Sequence, residues 1–266
     1  MPKYIPQVPY CRIYIPTLGR IGKQTTLDEF LTKSNHVPAL VCPPQEEAAH
    51  RAFVDPRVEI VPCAAKGIGP TRQWILENSD AQVVILIDDD MKFQKRVDME
   101  STKLQQCEAG DLDDMINECL DAVKDGYAHG GISARQGNNN VKTKRKENLR
   151  MCNFHFLHKD TIMQVGARFD QLEVMEDFHF ILSMLTRGYP NVGIFNYCWN
   201  QRPGSIGGCN TYRTLEVQAR AAEGLKEAFP DFVKVVEKHS ETGWSIAQGT
   251  RKDVRVQWAK AFKSSQ

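Results

Sequence analysis

The segment that most constrains the fold is Val83-Val84-Ile85-Leu86-Ile87, followed at once by Asp88-Asp89-Asp90. Five consecutive apolar residues suit a strand buried on both faces, as in the middle of a mostly parallel sheet. Three adjacent carboxylates at its mouth repel one another, and burying them without a cation is costly. A divalent metal resolves the conflict, and hard oxygen ligands suit Mg2+ or Mn2+. Asp88 and Asp90 stand at i and i+2, so in extended backbone they point the same way and are the expected metal ligands. The competing reading is a solvated acidic turn, in which Asp is a common residue.

The rest of the chain supplies neighbours for such a strand. Residues 12–15, 38–42 and 58–61 read as short apolar strands, closed by Pro16, Pro43 and Pro62. Residues 26–32 and 71–78 carry helical spacing between them. Leu112, Met115, Ile116, Cys119, Leu120 and Val123 repeat at helical spacing, with Asp111 and Gly126 at the ends. Strands are expected over 130–133, 151–157 and 192–197, and a helix over 176–187. Alternation of this kind predicts an α/β sandwich with parallel strands in its first half. Its ligand crevice would lie beyond the carboxyl ends of the strands. At 266 residues the chain suits one large domain over 1–210. Residues 211–266, helical in pattern at Leu215, Ala219, Ala222 and Leu225, would pack on it as an extension.

Composition excludes several classes. A 41% hydrophobic content supports a large core and rules out wholesale disorder. With 34 Lys and Arg against 33 Asp and Glu, the chain is not a strongly basic coat for nucleic acid. No apolar run reaches the roughly 18 residues of a membrane span. The opening MPKYIPQVPY has no apolar h-region. A cytoplasmic protein with no membrane partner is expected. The eight cysteines form no C-x-x-C pair, so reduced structural thiols are expected rather than a zinc or redox site.

Four further motifs lie at expected element ends. Pro16-Thr17-Leu18-Gly19-Arg20 follows the first strand; it offers a hydroxyl, a permissive glycine and a guanidinium for phosphate. Lys66-Gly67-Ile68-Gly69-Pro70-Thr71-Arg72 leads into a helix whose N-terminus attracts anions. Glu176-Asp177 opens a later helix, either as dipole partners or as a general base, and His179 beside them reads as a core histidine. Residues 201–208, Gln-Arg-Pro-Gly-Ser-Ile-Gly-Gly, are glycine-rich enough to close over a ligand. A basic stretch, Lys142, Lys144, Arg145, Lys146 and Arg150, follows the polar run 136–140 and suits DNA phosphates or simply a solvated loop.

Taken together, these features resemble the GT-A nucleotide-sugar transferases over about residues 10–210. More narrowly, PTLGR (16–20), GPTRQWIL (69–76), ILIDDDM (85–91), MEDFHF (175–180) and RPGSIGG (202–208) resemble the TET-associated glycosyltransferases encoded by bacteriophages. The resemblance implies a GT-A-like, Rossmann-like α/β/α sandwich and transfer from a UDP-sugar to the hydroxyl of 5-hydroxymethylcytosine in DNA. It implies nucleotide-sugar binding by Pro16, Thr17, Gly19, Arg20, Lys66, Gly67, Arg72, Asp88, Asp89, Arg202, Gly207 and Gly208. Asp88 and Asp90 would hold Mn2+ or Mg2+. Asp177, with Glu176 as its rival, would be the base of an inverting reaction. The alternatives are a nucleotidyltransferase with the same kind of carboxylate site, and an inactive DNA-binding scaffold of this fold.

Overall fold

A computed structural model describes residues 10–201, 207–244 and 247–266. Its strands are β1 (Cys11–Pro16), β2 (Ala39–Cys42), β3 (Ile60–Pro62), β4 (Val83–Ile87), β5 (Met91–Arg96), β6 (Leu104–Gln106), β7 (His129–Ala134), β8 (Arg145–Glu147), β9 (Phe154–His158), β10 (Asn191–Gln201), β11 (Val233–Trp244) and β12 (Ala247–Val256). The helices are α1 (Thr25–Lys33), α2 (Glu47–Arg51), α3 (Ile68–Asn78), α4 (Asp111–Lys124), α5 (Arg135–Asn138), α6 (Lys159–Val165), α7 (Glu176–Leu185), α8 (Leu215–Ala228) and α9 (Trp258–Lys263).

The main sheet runs β3-β2-β1-β4-β9-β7-β10-β5-β6, with β8 also paired to β10. β3, β2, β1 and β4 are mutually parallel, as the alternating pattern of the first half requires. Their 3-2-1-4 order is that of a Rossmann-type half-sheet, with a topological switch between β1 and β4. β4 is buried along its whole length. Its residues alternate between two cores: Val84 and Leu86 join a cluster with α3, α7 and α8, and Val83, Ile85 and Ile87 join another with α1 and α4. An α/β/α sandwich results. Past β4 the sheet turns mixed, because β9 pairs antiparallel with both β4 and β7.

β10 is longer than its apolar run suggests. It pairs with β8 at Val192–Ile194 and with β5 at Tyr197–Gln201, and its register against β7 shifts between Ile194 and Cys198. The basic stretch is therefore partly a strand rather than a flexible loop. Asn138, from the polar run before it, is fully buried. Its side chain donates to Ser133 Oγ at 2.6 Å and accepts from Arg96 Nε at 2.8 Å. After α8 the chain adds an antiparallel ribbon, β11–β12, and α9. The helical spacing at 215–225 is that of α8; the ribbon carries no comparable pattern in sequence. Val233, Val254 and Ala261 bury into the same core as α7 and α8, which seats the C-terminal segment on the main sandwich. All eight cysteines are free thiols. No helix among the described residues is long and apolar enough to cross a membrane.

Candidate active site

The carboxyl ends of β1 and β4 open into one cleft of about 1490 Å3. Among the described residues it is lined by eight cations (Arg20, Lys66, Arg72, Lys146, Arg150, Arg213, Lys238, Arg251) and six carboxylates (Asp88, Asp89, Asp90, Glu176, Asp177, Asp253). That excess of cations suits an anionic ligand.

The three aspartates do not form one extended stretch. The chain turns at Asp89–Asp90 between β4 and β5, so all three side chains reach the cleft instead of alternating. Each carboxylate has a cationic partner. Arg72, whose side chain is 3% exposed, donates from Nη2 to Asp88 Oδ1 at 2.6 Å and from Nη1 to Glu176 Oε1 at 2.7 Å. Arg20 pairs with Asp89 and, through Nη1, with Asp90 Oδ2 at 2.9 Å. Thr17 Oγ1 donates to Asp89 Oδ2 at 2.5 Å. Gln24 Nε2 donates to Thr17 Oγ1 at 3.1 Å and to the Arg20 carbonyl at 2.8 Å, which fixes the turn after β1. Thr26 Oγ1 donates to the Asp88 carbonyl at 2.5 Å and accepts from the Met91 N–H at 2.9 Å, pinning the acidic turn to α1.

Burial sets the electrostatics. It pushes the Asp89 carboxyl up to about 7, although Arg20 and Thr17 favour its charged form. It raises Asp88 and Glu176 as well, against the opposing pull of Arg72. Burial also works against the Arg72 charge, but Asp88 and Glu176 outweigh it and the guanidinium stays protonated.

Two glycines make this packing possible. A Cβ on Gly69 would stand 2.5 Å from the Phe169 carbonyl and 3.2 Å from Glu176 Cβ, so only glycine lets the start of α3 approach α7 and bring Arg72 to Glu176. Gly207 has φ +97°, and a Cβ there would meet Arg20 Cγ at 2.9 Å. The Gly208 N–H donates to the Leu18 carbonyl at 3.0 Å. This end of the glycine-rich segment thus docks on the turn after β1. Arg202 and residues 203–206 lie outside the described residues.

Of the residues expected from sequence, Pro16, Thr17, Arg20, Lys66, Gly67, Arg72, Asp88, Asp89, Asp90, Glu176, Asp177 and Gly208 line the cleft together. So do Lys146 and Arg150 from the basic stretch. Gly19 does not; its N–H donates to the Glu46 carboxylate at 3.0 Å. Gly207 acts through Arg20 rather than lining the space. Lys142, Lys144 and Arg145 stand outside the lining, and Arg145 Nη1 pairs with Asp125 Oδ2 at 2.5 Å. His179 also lies away from the cleft, edge-on to Phe229 at 5.2 Å. Burial lowers its pKa to about 4.

The sequence marked Gln201 only as the opening residue of the glycine-rich segment and missed Asn153. Gln201 Nε2 donates to both Asp90 oxygens, at 2.7 and 2.8 Å, and its Oε1 accepts from Asn153 Nδ2 at 3.0 Å. It also missed Lys238, Arg251, Asp253 and Trp258, which reach the cleft from the ribbon and α9. Nothing local in the sequence marks these residues, because tertiary packing alone brings them to the site.

Carboxylate oxygens are the donors that a hard divalent cation takes, and here both Asp90 oxygens are already engaged, by Gln201 and Arg20. Asp88 and Asp90 present carboxylate oxygens to one space, and Asp88 Oδ2 has no protein partner among the described residues. No three His, Cys, Asp or Glu side chains are grouped to hold a metal among those residues. The remaining ligands would therefore be ligand phosphates and water, a common arrangement for Mg2+.

A 3-2-1-4 sandwich with carboxylates at the switch point and a cationic cleft beside them defines a GT-A-type fold. Two solved structures share it at low identity. One is the mannosyltransferase PcManGT from Pyrobaculum calidifontis in complex with GDP-Man and Mn2+, with TM-score 0.53, 12% identity, and 87% of this chain and 67% of that one covered. The other is S. aureus TarS 1-349 in complex with UDP-GlcNAc, with TM-score 0.50, 13% identity, and 82% and 66% covered. The chain therefore spans 66% of the TarS chain's length. It belongs to the TET-Associated Glycosyltransferase family, whose model matches residues 11–204. A comparison with proteins of curated function finds no match.

Proposed function

We propose that this protein transfers a sugar from a UDP-sugar to the hydroxymethyl oxygen of 5-hydroxymethylcytosine in DNA, with inversion at the anomeric carbon. The observation that carries the reading is the single cleft in which the carboxylates after β4, the turn after β1, the start of α3 and the acidic start of α7 meet. Family membership and the nucleotide-sugar complexes of proteins with the same fold support it.

Thr17, Arg20 and Asp89 form the floor for the nucleotide. Lys66 and the N-terminus of α3 stand at the rim, where a diphosphate meets positive charge. Asp88 and Asp90 would hold Mn2+ or Mg2+, which would supply Lewis-acid neutralisation of the diphosphate. Asp177 takes the proton of the acceptor hydroxyl as its oxygen bonds to the anomeric carbon. The bond from that carbon to the phosphate oxygen breaks, and its electron pair leaves with UDP. Glu176 is tied to Arg72, which makes it the positioning residue of the pair and Asp177 the base. Lys146 and Arg150 are the members of the basic stretch placed to meet DNA phosphate at the cleft.

The test is a mass spectrum of nucleosides from 5-hydroxymethylcytosine DNA after incubation with UDP-sugars and Mn2+. A hexose or N-acetylhexosamine mass gain on the modified cytosine, abolished by EDTA, is expected. Pyrophosphate release from a nucleoside triphosphate without sugar transfer would instead mark a nucleotidyltransferase. DNA binding with neither reaction would mark an inactive scaffold.

A further inference from the structure

Gln201 Nε2 lies 2.7 and 2.8 Å from the two carboxylate oxygens of Asp90. Those near-equal distances put the amide between the oxygens, on the edge that a chelating cation would need. Arg20 Nη1 also holds Asp90 Oδ2, at 2.9 Å. Asp88 differs, because Arg72 donates to its Oδ1 and Oδ2 has no protein partner among the described residues.

Gln201 is itself braced. A carboxylate only accepts, so the Gln201 amide turns its nitrogen to Asp90 and its oxygen away. That oxygen accepts from Asn153 Nδ2 at 3.0 Å. Asn153 stands at the entry to β9 with φ +64°, a left-handed conformation that Asn tolerates. From there its carbonyl accepts the Asp88 N–H at 2.9 Å. One residue thus braces both expected ligands, Asp88 through its backbone and Asp90 through Gln201. Pairing of β10 with β5 sets Gln201 opposite Met91, next to Asp90 in the chain.

An orienting partner engages a ligand away from the metal, and its loss weakens metal binding by roughly 10- to 100-fold. Gln201 instead covers the edge that the metal would take, so it competes. Displacing it costs hydrogen bonds to a charged group. A nucleoside diphosphate offsets that cost, because its oxygens accept the released amide and complete the cation's shell.

We infer that Gln201, braced by Asn153, is a latch on the cation site: it keeps the chelating edge of Asp90 occupied until a divalent cation and a nucleoside diphosphate arrive together. This rests on the cation-dependent reading proposed above. Gln201 is a positioning residue, acting through Asp90 and not on the reacting atoms.

The test is a titration of Mn2+ binding, read by electron paramagnetic resonance of the free ion, with and without UDP. Wild type should bind Mn2+ weakly alone and more tightly with UDP. Gln201→Ala removes the competitor, so Mn2+ alone should bind about 10-fold more tightly, the worth of one hydrogen bond to a charged group. The gain from UDP should shrink by a similar factor. Gln201→Met keeps length and volume but has no donor, and should match Gln201→Ala. Asn153→Gly keeps the left-handed backbone and its carbonyl, so Mn2+ binding should shift the same way by less. In an Asp90→Ala background, Gln201→Ala should have no effect on Mn2+. Weaker or unchanged Mn2+ binding in both Gln201 variants overturns the latch and leaves the cation-dependent reaction standing. So does wild-type Mn2+ binding that UDP does not tighten. No Mn2+ binding by wild type, even with UDP, overturns that reading and the latch with it.

Discussion

The two walls of the cleft are built by different physics. The wall at β1, β4 and α3 is a buried ion-pair network: the Arg72 side chain is 3% exposed and that of Asp89 is 6% exposed. The opposite wall, where α7 and the ribbon meet the segment around β8, carries more exposed cations, with the Arg150 side chain at 51% and that of Lys238 at 50%, although Arg251 is at 17%. A buried pair is held by partners that cannot be replaced by water, so removing one member strands the other. Exposed charges lose little when a partner goes, because solvent takes over. The first wall is therefore a rigid receptor whose chemistry and stability are inseparable. The second can change its acceptor contacts without unfolding the protein.

The largest expected effect lies where the walls meet. Asp177→Asn keeps size and polarity but cannot accept a proton, so kcat should fall by ~10²–10⁴ at saturating UDP-sugar while UDP affinity and melting temperature hold. Glu176→Gln should differ in kind, losing stability because Arg72 loses one of its two charged partners and keeps only Asp88. Full activity in Asp177→Asn would end the contrast between base and positioning residue.

Next is the buried network itself. Arg72→Ala leaves Asp88 and Glu176 facing each other unpaired, and should cost about 3–5 kcal/mol in metal-free urea unfolding. Lys146→Ala, on an exposed side chain of the other wall, should cost under ~0.5 kcal/mol. Equal losses would mean that the walls are not distinct.

A pH titration of stability sharpens the picture beneath the second wall. Burial lowers the His129 pKa to about 4 and holds His155 well below its ordinary value. Their rings pack edge-on to Phe180 and Phe169. A depressed histidine contributes stability that is present above ~6.5, its unfolded pKa, and is lost as pH falls through the folded pKa. For His129 the loss by pH 4 should approach ~3 kcal/mol, at ~1.4 kcal/mol per pH unit. The buried carboxylates Asp88, Asp89 and Glu176 act with the opposite sign, since their raised pKa values favour the folded state as pH falls. His129→Phe should flatten the acid limb between pH 6.5 and 4; an unchanged limb would assign it to other groups.

The smallest effect belongs to the exposed lysines of the basic stretch. Lys144→Ala with Lys146→Ala should reduce the salt slope of DNA binding by about one unit per lost phosphate contact, without altering UDP affinity. Arg145 is left in place, because it is engaged with Asp125 and Glu118.

The buried central strand, the parallel first half and the position of each motif at an element end are all legible in the order of the amino acids. Those signals are local: an apolar run, a helical spacing or a proline stop is complete within about a dozen residues. The three aspartates were visible, and so was the need for positive charge beside them. Which cations answer that need is settled by folding in three dimensions. Arg20 and Arg72 come from other elements, and Arg72 pairs with Asp88 and, across 104 positions of sequence, with Glu176. The turn at Asp89–Asp90 decided that all three carboxylates face the cleft, because β5 needs the chain to reverse there. The contact of Gln201 with Asp90, and the places of Asn153, Trp258 and the ribbon, were illegible for the same reason. Hydrogen-bond and ion-pair partners across a cleft are chosen by distance in space, and residues far apart in the chain carry no shared periodicity to announce them.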